Sequence, residues 1–257
     1  MVFLFVNIWS MKIVSMAPNV TEMIFYFGQG DSLVGVTGFC NYPEEALKIE
    51  KVGGFADFNP EVMLRLNPDI VIFSGNMTQQ EKAFLDKYKV SYIDVKMEDI
   101  NSLIDGSKRI AEILGCIDKY ELFKLKVDSL LEFYSIENEK RNVYLEISNK
   151  PLMCASEKSY SGEILNLLGC TLPKSGLDSP YLVISQEDII IFNPWVIIAA
   201  DFDSMIGMRK GWKNTDAVKN KRIYILSEHE TDIISRPGPR IFEAFEILFR
   251  KLYEADR

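Results

Sequence analysis

The chain contains a single histidine, His229, in 257 residues. One imidazole cannot complete a His-rich metal centre, and none of the four cysteines (Cys40, Cys116, Cys154 and Cys170) stands in a CxxC pair. Buried free thiols are the expected state, although spacing alone leaves a disulfide open. Cations are in deficit: 29 Lys and Arg against 37 Asp and Glu give a net charge of −8, the opposite of a nucleic-acid surface. There is no GxSxG elbow, no HExxH and no phosphate loop ending in Gly-Lys-Ser/Thr, so no enzyme is expected and no cofactor is required. His229, between Glu228 and Glu230, reads first as a solvated loop residue and only second as an axial ligand for a bound metal complex. No apolar run reaches the roughly 20 residues of a spanning helix. Residues 1–9 are apolar but lack a basic start and a small-residue cleavage site, so as written the chain reads as cytoplasmic, with Met11 an equally good start.

What the chain does have is a unit used twice. NPEVMLRLNPDIVIF, from Asn59 to Phe73, returns as SQEDIIIFNPWVIIA, from Ser185 to Ala199, 126 residues later. Asn59 and Ser185 suit a helix N-cap, and Glu61 and Glu187 fall in the first turn, where the helix dipole favours a carboxylate. Six residues on, Asn67-Pro68 and Asn193-Pro194 stop the helix, because the residue before proline is pushed out of the helical region. A β-branched apolar run then reads as a buried strand. Two copies imply two related lobes.

The rest of the chain keeps the same rhythm. Strands are expected at 12–15, 33–36, 90–95, 142–147 and 222–226. Helices are expected from Asn19 (capped by Asn19 with Glu22), from Thr78, over 100–114, from Asp118 to about residue 138, over 161–168 and over 241–253. Alternating strands and helices predict an α/β fold: two Rossmann-like lobes with mostly parallel sheets, joined by one long connecting helix. The boundaries fall at 11–117, 118–139 and 140–257. The 118–139 helix, at about 1.5 Å per residue, would be roughly 30 Å long.

In open parallel sheets ligands bind beyond the carboxyl ends of the strands. That rule nominates the loops 17–19, 39–42, 53–58, 74–77, 156–161, 179–182 and 228–236. Phe39, Tyr42, Phe55, Phe58, Asn76, Tyr160 and Tyr181 lie there, and aromatic walls with a few polar anchors suit a large, partly flat ligand. Any one of these rings could instead fold back into a core. The 236–240 turn, Arg-Pro-Gly-Pro-Arg, sets the entry angle of the last helix and places Asp232 and Arg236 near the same loops.

Ordered along the chain, KIVSMAPNVTE (12–22), VGVT (34–37), NYPEEA (41–46), VGGF (52–55), NPDIV (67–71), AVKN (217–220) and SRPGPR (235–240) resemble the substrate-binding proteins of ABC importers. The subgroup is the one handling cobalamin, iron-siderophores and haem, with the cobalamin binders most similar. The resemblance covers nearly all of residues 12–253. It implies a ligand cleft between the lobes, a monomer, and an extracytoplasmic protein if the N-terminus starts elsewhere. It also implies docking of Glu61 and Glu187 on a permease dimer with its ATPase subunits. Tyr42, Phe55 and Tyr181 match cleft positions, with Asn19, Asn76, Asp232 and Arg236 as further ligand contacts. Phe55 and Tyr181 stand where cobalamin binders can carry Trp. Haem or siderophore binding, and an intracellular corrinoid carrier without a permease, are the rival readings.

Overall fold

A computed structural model describes residues 11–54, 58–134, 140–174, 178–200 and 206–253. By compactness the chain divides into Met1–Met97 with Ser102–Glu121, and Glu98–Asn101 with Leu122–Arg257.

The first unit is built from β1 (Ile13–Ser15), α1 (Pro18–Tyr26), β2 (Leu33–Val36), α2 (Pro60–Leu66), β3 (Ile70–Phe73), α3 (Gln79–Tyr88) and β4 (Ser91–Asp94). The four strands are all parallel, in the order β2-β1-β3-β4. β1, β2 and β3 are mostly buried and read as apolar runs, whereas the edge strand β4 is not. Val14, Met16, Val71 and Phe73 meet Met63 of α2 and Leu85 of α3 in one core. Asn19 does not cap α1. Ala17 is the N-cap and Pro18 takes the first helical position, where its fixed φ and missing N–H cost nothing, so the helix starts ahead of Asn19. Thr78 does cap α3, in a reciprocal box with Glu81.

Helix α4 (Ile100–Leu114) leads to α5 (Ile117–Tyr134), and the unit boundary falls inside α5, between Glu121 and Leu122. α5 starts at Ile117, so Asp118 lies in its first turn and is not its cap. Residues 135–139, where that helix was expected to end, lie outside the described residues.

The second unit holds β5 (Arg141–Asn149), β6 (Leu152–Ala155), α6 (Tyr160–Leu167), β7 (Cys170–Thr171), β8 (Tyr181–Val183), α7 (Gln186–Phe192), β9 (Val196–Ala200), α8 (Asp216–Lys219), β10 (Ile223–Leu226), α9 (Glu228–Ser235) and α10 (Ile241–Tyr253). Its sheet runs β10-β9-β5-β6-β8, with β7 alongside β5. β10, β9, β5 and β7 are parallel, whereas β6 is antiparallel to both β5 and β8. The sheet is mostly parallel, as the strand–helix rhythm predicts, with β6 as its antiparallel member. Strands β6 and β8 are four and three residues long and lack a strong alternating pattern, so periodicity did not show them. α9 replaces an expected loop over 228–236. Its sign was present: Ser227 and Glu230 have the Ser-x-x-Glu spacing and form a reciprocal capping box.

The twin units form as expected. Asn59 accepts from the N–H groups of Glu61 and Val62, and Ser185 from that of Asp188. All four cysteines are buried and free.

Candidate functional site

At the carboxyl ends of β1 and β3 two amides meet. Asn19 Nδ2 donates to Ser74 Oγ at 3.1 Å, Asn76 Nδ2 donates to the Met16 carbonyl at 3.3 Å, and the Ser74 N–H donates to Asn76 Oδ1 at 3.2 Å. The Gly75 N–H adds a bond to Asp94 Oδ1 at 2.5 Å. Asn19 is only 7 % exposed. Both amides nominated as ligand anchors therefore tie the ends of two strands to each other. An amide so placed is satisfied by the chain and holds the rim in shape.

The loop after β2 is pinned from inside and presents aromatic rings outside. Cys40 is buried, with the Thr21 and Thr37 hydroxyls each 3.2 Å from its sulfur. Lys51 Nζ donates to the carbonyls of Cys40 (3.2 Å) and Ala46 (2.8 Å), and the Gly38 N–H donates to Gly53 O at 2.8 Å. On this clamped backbone Phe39 is 50 % and Tyr42 38 % exposed. Phe55 lies outside the described residues. Phe58 does not line the rim: it packs edge-on to Phe84, ring centroids 5.0 Å apart, against the core.

In the second unit the strands next to the nominated loops are antiparallel. β6 runs antiparallel to β5 with Cys154 opposite Glu146, and Glu146 pairs with Ala199 near the carboxyl end of β9, so β6 ends and the 156–161 loop begins beside the carboxyl ends of the parallel strands. Tyr181, opposite Ala155, opens β8 at that same side. The loop is tightly built. Ser156 Oγ donates to Ser179 O at 2.6 Å, and Ser159 caps α6 through the Gly162 N–H at 3.0 Å. A Cβ on Gly162 would stand 1.7 Å from the Ser156 carbonyl oxygen, so no side chain fits there. Tyr160 is buried, another ring returned to the core.

Tyr181 is 41 % exposed, yet burial of its hydroxyl end, then the Glu98 carboxylate, raise its pKa. Asp232 and Arg236, one helical turn apart on α9, form a half-buried ion pair at 2.6 Å. The end of α9 reaches the same loop region, since Ser161 Oγ donates to Ile234 O at 2.7 Å. His229 is exposed on α9, and no group of three or more His, Cys, Asp or Glu able to hold a metal occurs among the described residues. Glu61 and Glu187 are exposed in the first turns of α2 and α7.

One cluster escaped the sequence reading. Glu146, buried in β5, takes a bidentate pair from Arg209 at 2.5 and 2.9 Å and a bond from the Tyr144 hydroxyl at 3.1 Å. The Arg209 guanidinium lies 4.8 Å from the Trp212 ring centre. Burial, then the Glu146 carboxylate, raise the Tyr144 hydroxyl pKa, and the same two causes push the Cys154 thiol up to about 12. The sign was legible: Glu146 is the one charge in the apolar run Val143–Ile147, and a charge in a buried strand demands a partner.

The periplasmic binding protein family model matches residues 13–229. An uncharacterized ABC transporter substrate-binding lipoprotein of Bacillus subtilis, YvrC, is 28 % identical over 94 % of this chain and 80 % of its own length. The vitamin B12-binding protein of Vibrio cholerae is 26 % identical over 91 % of this chain and 86 % of its own. Among solved structures, a possible iron-binding (periplasmic solute-binding) protein of Staphylococcus epidermidis superposes with a TM-score of 0.80 at 26 % identity, covering 94 % of this chain and 98 % of that one. No helix among the described residues is long and apolar enough to cross a membrane. With the family model spanning both units, the chain belongs to the periplasmic binding protein family.

Proposed function

We propose that the chain is the extracytoplasmic solute-binding component of an ABC importer and that its ligand is cobalamin or a related corrinoid. The observation that carries this reading is the pair of half-exposed rings, Tyr42 and Tyr181, each set on backbone that hydrogen bonds hold in place. Rigid rings on hydrogen-bonded loops give a flat ligand apolar contact with little ordering cost. Similarity to vitamin B12-binding proteins across most of the chain supports the corrinoid reading. Phe55 belongs to this ligand site in the same reading, with Asn19 and Asn76 shaping the rim and the Asp232–Arg236 pair offering the polar contact. The same reading takes the domains as 11–117, 118–139 and 140–257. Glu61 and Glu187 dock on the permease dimer, one helix for each symmetric half, where like charges on two related units suit a two-fold partner.

Calorimetric titration with cyanocobalamin, haemin and a ferric siderophore tests the ligand. Saturable binding of cyanocobalamin at least tenfold tighter than of the other two is expected, and tighter binding of either rival refutes the corrinoid assignment. Uptake in cells carrying Glu61→Ala with Glu187→Ala tests the docking reading: a loss is expected, and unchanged uptake refutes it.

A further inference from the structure

Each docking helix carries an exposed aliphatic side chain on the glutamate's own face. In α7, Ile191 lies four residues after Glu187, so the two are neighbours on the helix surface. Ile191 is 81 % exposed, more than any other large hydrophobic residue described, although Ile189, two positions earlier, is fully buried in the core. In α2, Leu64 lies three residues after Glu61 and is 40 % exposed. The turn over α7 adds Met208, 77 % exposed. That turn packs on the helix closely enough that a Cβ at Gly211 would lie 2.5 Å from Ile190 Cδ1. None of this exposed apolar surface contributes to folding, and a solvated helix face ordinarily carries polar side chains.

We propose that the docking surface is not carried by charge alone, and that Ile191 and Leu64 supply its apolar contacts with the permease. The inference rests on the docking reading of Glu61 and Glu187. The partner it describes is a two-fold symmetric membrane protein that offers, on each half, a cation beside an apolar side chain. The contacts are unequal. Four residues after Glu61 stands Arg65, paired to Glu50, where α7 has Ile191. The α7 contact is therefore the more apolar and Ile191 contributes more than Leu64. Interfaces of this kind draw their affinity from a few buried anchors, with rim charges setting rate and orientation.

The test is binding of ligand-loaded chain to nanodiscs carrying the permease–ATPase complex from the same genome, with Ile191→Gln, Leu64→Gln, Ile191→Leu and the double glutamate variant in parallel. Gln changes no charge, and at Ile191, 81 % exposed, it leaves the core untouched. The expected result is a tenfold or greater loss of affinity in Ile191→Gln, a smaller loss in Leu64→Gln, and recovery in Ile191→Leu. Unchanged melting temperature and cobalamin affinity would accompany these losses. If Ile191→Gln binds within twofold of the parent while the glutamate variant does not bind, the apolar contact is refuted and charge-only docking stands. If the glutamate variant also binds normally, or the parent chain binds no such complex, the docking reading itself falls and this inference with it.

Discussion

Asn67 and Asn193 hold one backbone conformation, φ 47° with ψ 63° and φ 48° with ψ 68°, at the ends of α2 and α7. Both are left-handed, which costs most residues roughly 1–2 kcal/mol but suits Asn and Gly. Their side chains differ in that Asn193 Oδ1 accepts from the Asp216 N–H at 2.8 Å. Asn67→Gly should therefore leave the urea midpoint nearly unchanged. Asn193→Gly should lower it by the equivalent of about 1 kcal/mol, the worth of a lost hydrogen bond. Ala at either position should be destabilising.

The Glu146–Arg209 pair makes a sharper prediction about the second unit. Arg209→Met strands a buried carboxylate and should cost about 3–5 kcal/mol, whereas Glu146→Leu with Arg209→Met should recover most of the loss. Chemical denaturation of the three proteins measures it. Equal destabilisation by the single and double variants would show that the pair is not what the surrounding core depends on.

Two carboxylates give opposite pH dependence. Burial, then the Asp99 charge, outweigh the bond from the Ile100 N–H and raise the Glu163 pKa. The folded state then holds that proton more tightly than the unfolded chain. Stability falls as pH rises from the ordinary carboxylate value of about 4.3 through the raised one. Glu230 is the reverse. Burial opposes its charge, but the Ser227 N–H, the Lys251 ammonium and the Ser227 hydroxyl together outweigh burial and lower its pKa. Its contribution is present above the ordinary value and lost as pH falls through the lowered one. Urea midpoints between about pH 3 and pH 7 should flatten at the upper end of that window in Glu163→Gln and at the lower end in Glu230→Gln.

The rim residues should separate by role. Tyr42→Ala and Tyr181→Ala remove half-exposed rings and should weaken cyanocobalamin binding about tenfold with little change in melting temperature. Asn19→Ala breaks a buried bond to Ser74 and should cost about 1–2 kcal/mol of stability. Calorimetry and thermal melts on the same samples distinguish the two outcomes.

The thiols should be silent. All four are buried, and burial pushes Cys154 and Cys170 up to about 12. The thiolate is the reactive form, so a disulfide-exchange reagent at about pH 8 should label the unfolded chain and spare the native one.

Local chemistry determined a large part of this protein. The cap at Asn59 or Ser185, the Glu in the first turn and the Asn-Pro stop all act within a few residues, so α2 with β3 and α7 with β9 were legible as units and as a repeat. The buried runs of β1, β3 and β9 were legible for the same reason. Long-range contacts decided the rest. Nothing near Leu152 or Tyr181 says that β6 turns back along β5, because three or four residues carry too little periodicity to name a partner strand. That reversal is what sets Tyr181 beside Ala155 at the start of the 156–161 loop. Only the meeting of the strand ends shows that Asn19 and Asn76 each bond to the other strand. Phe58, Tyr160, Tyr42 and Tyr181 are all aromatic residues in loops or at the first residue of an element. Only the packing around them decided that the first two are core and the last two remain available to a ligand.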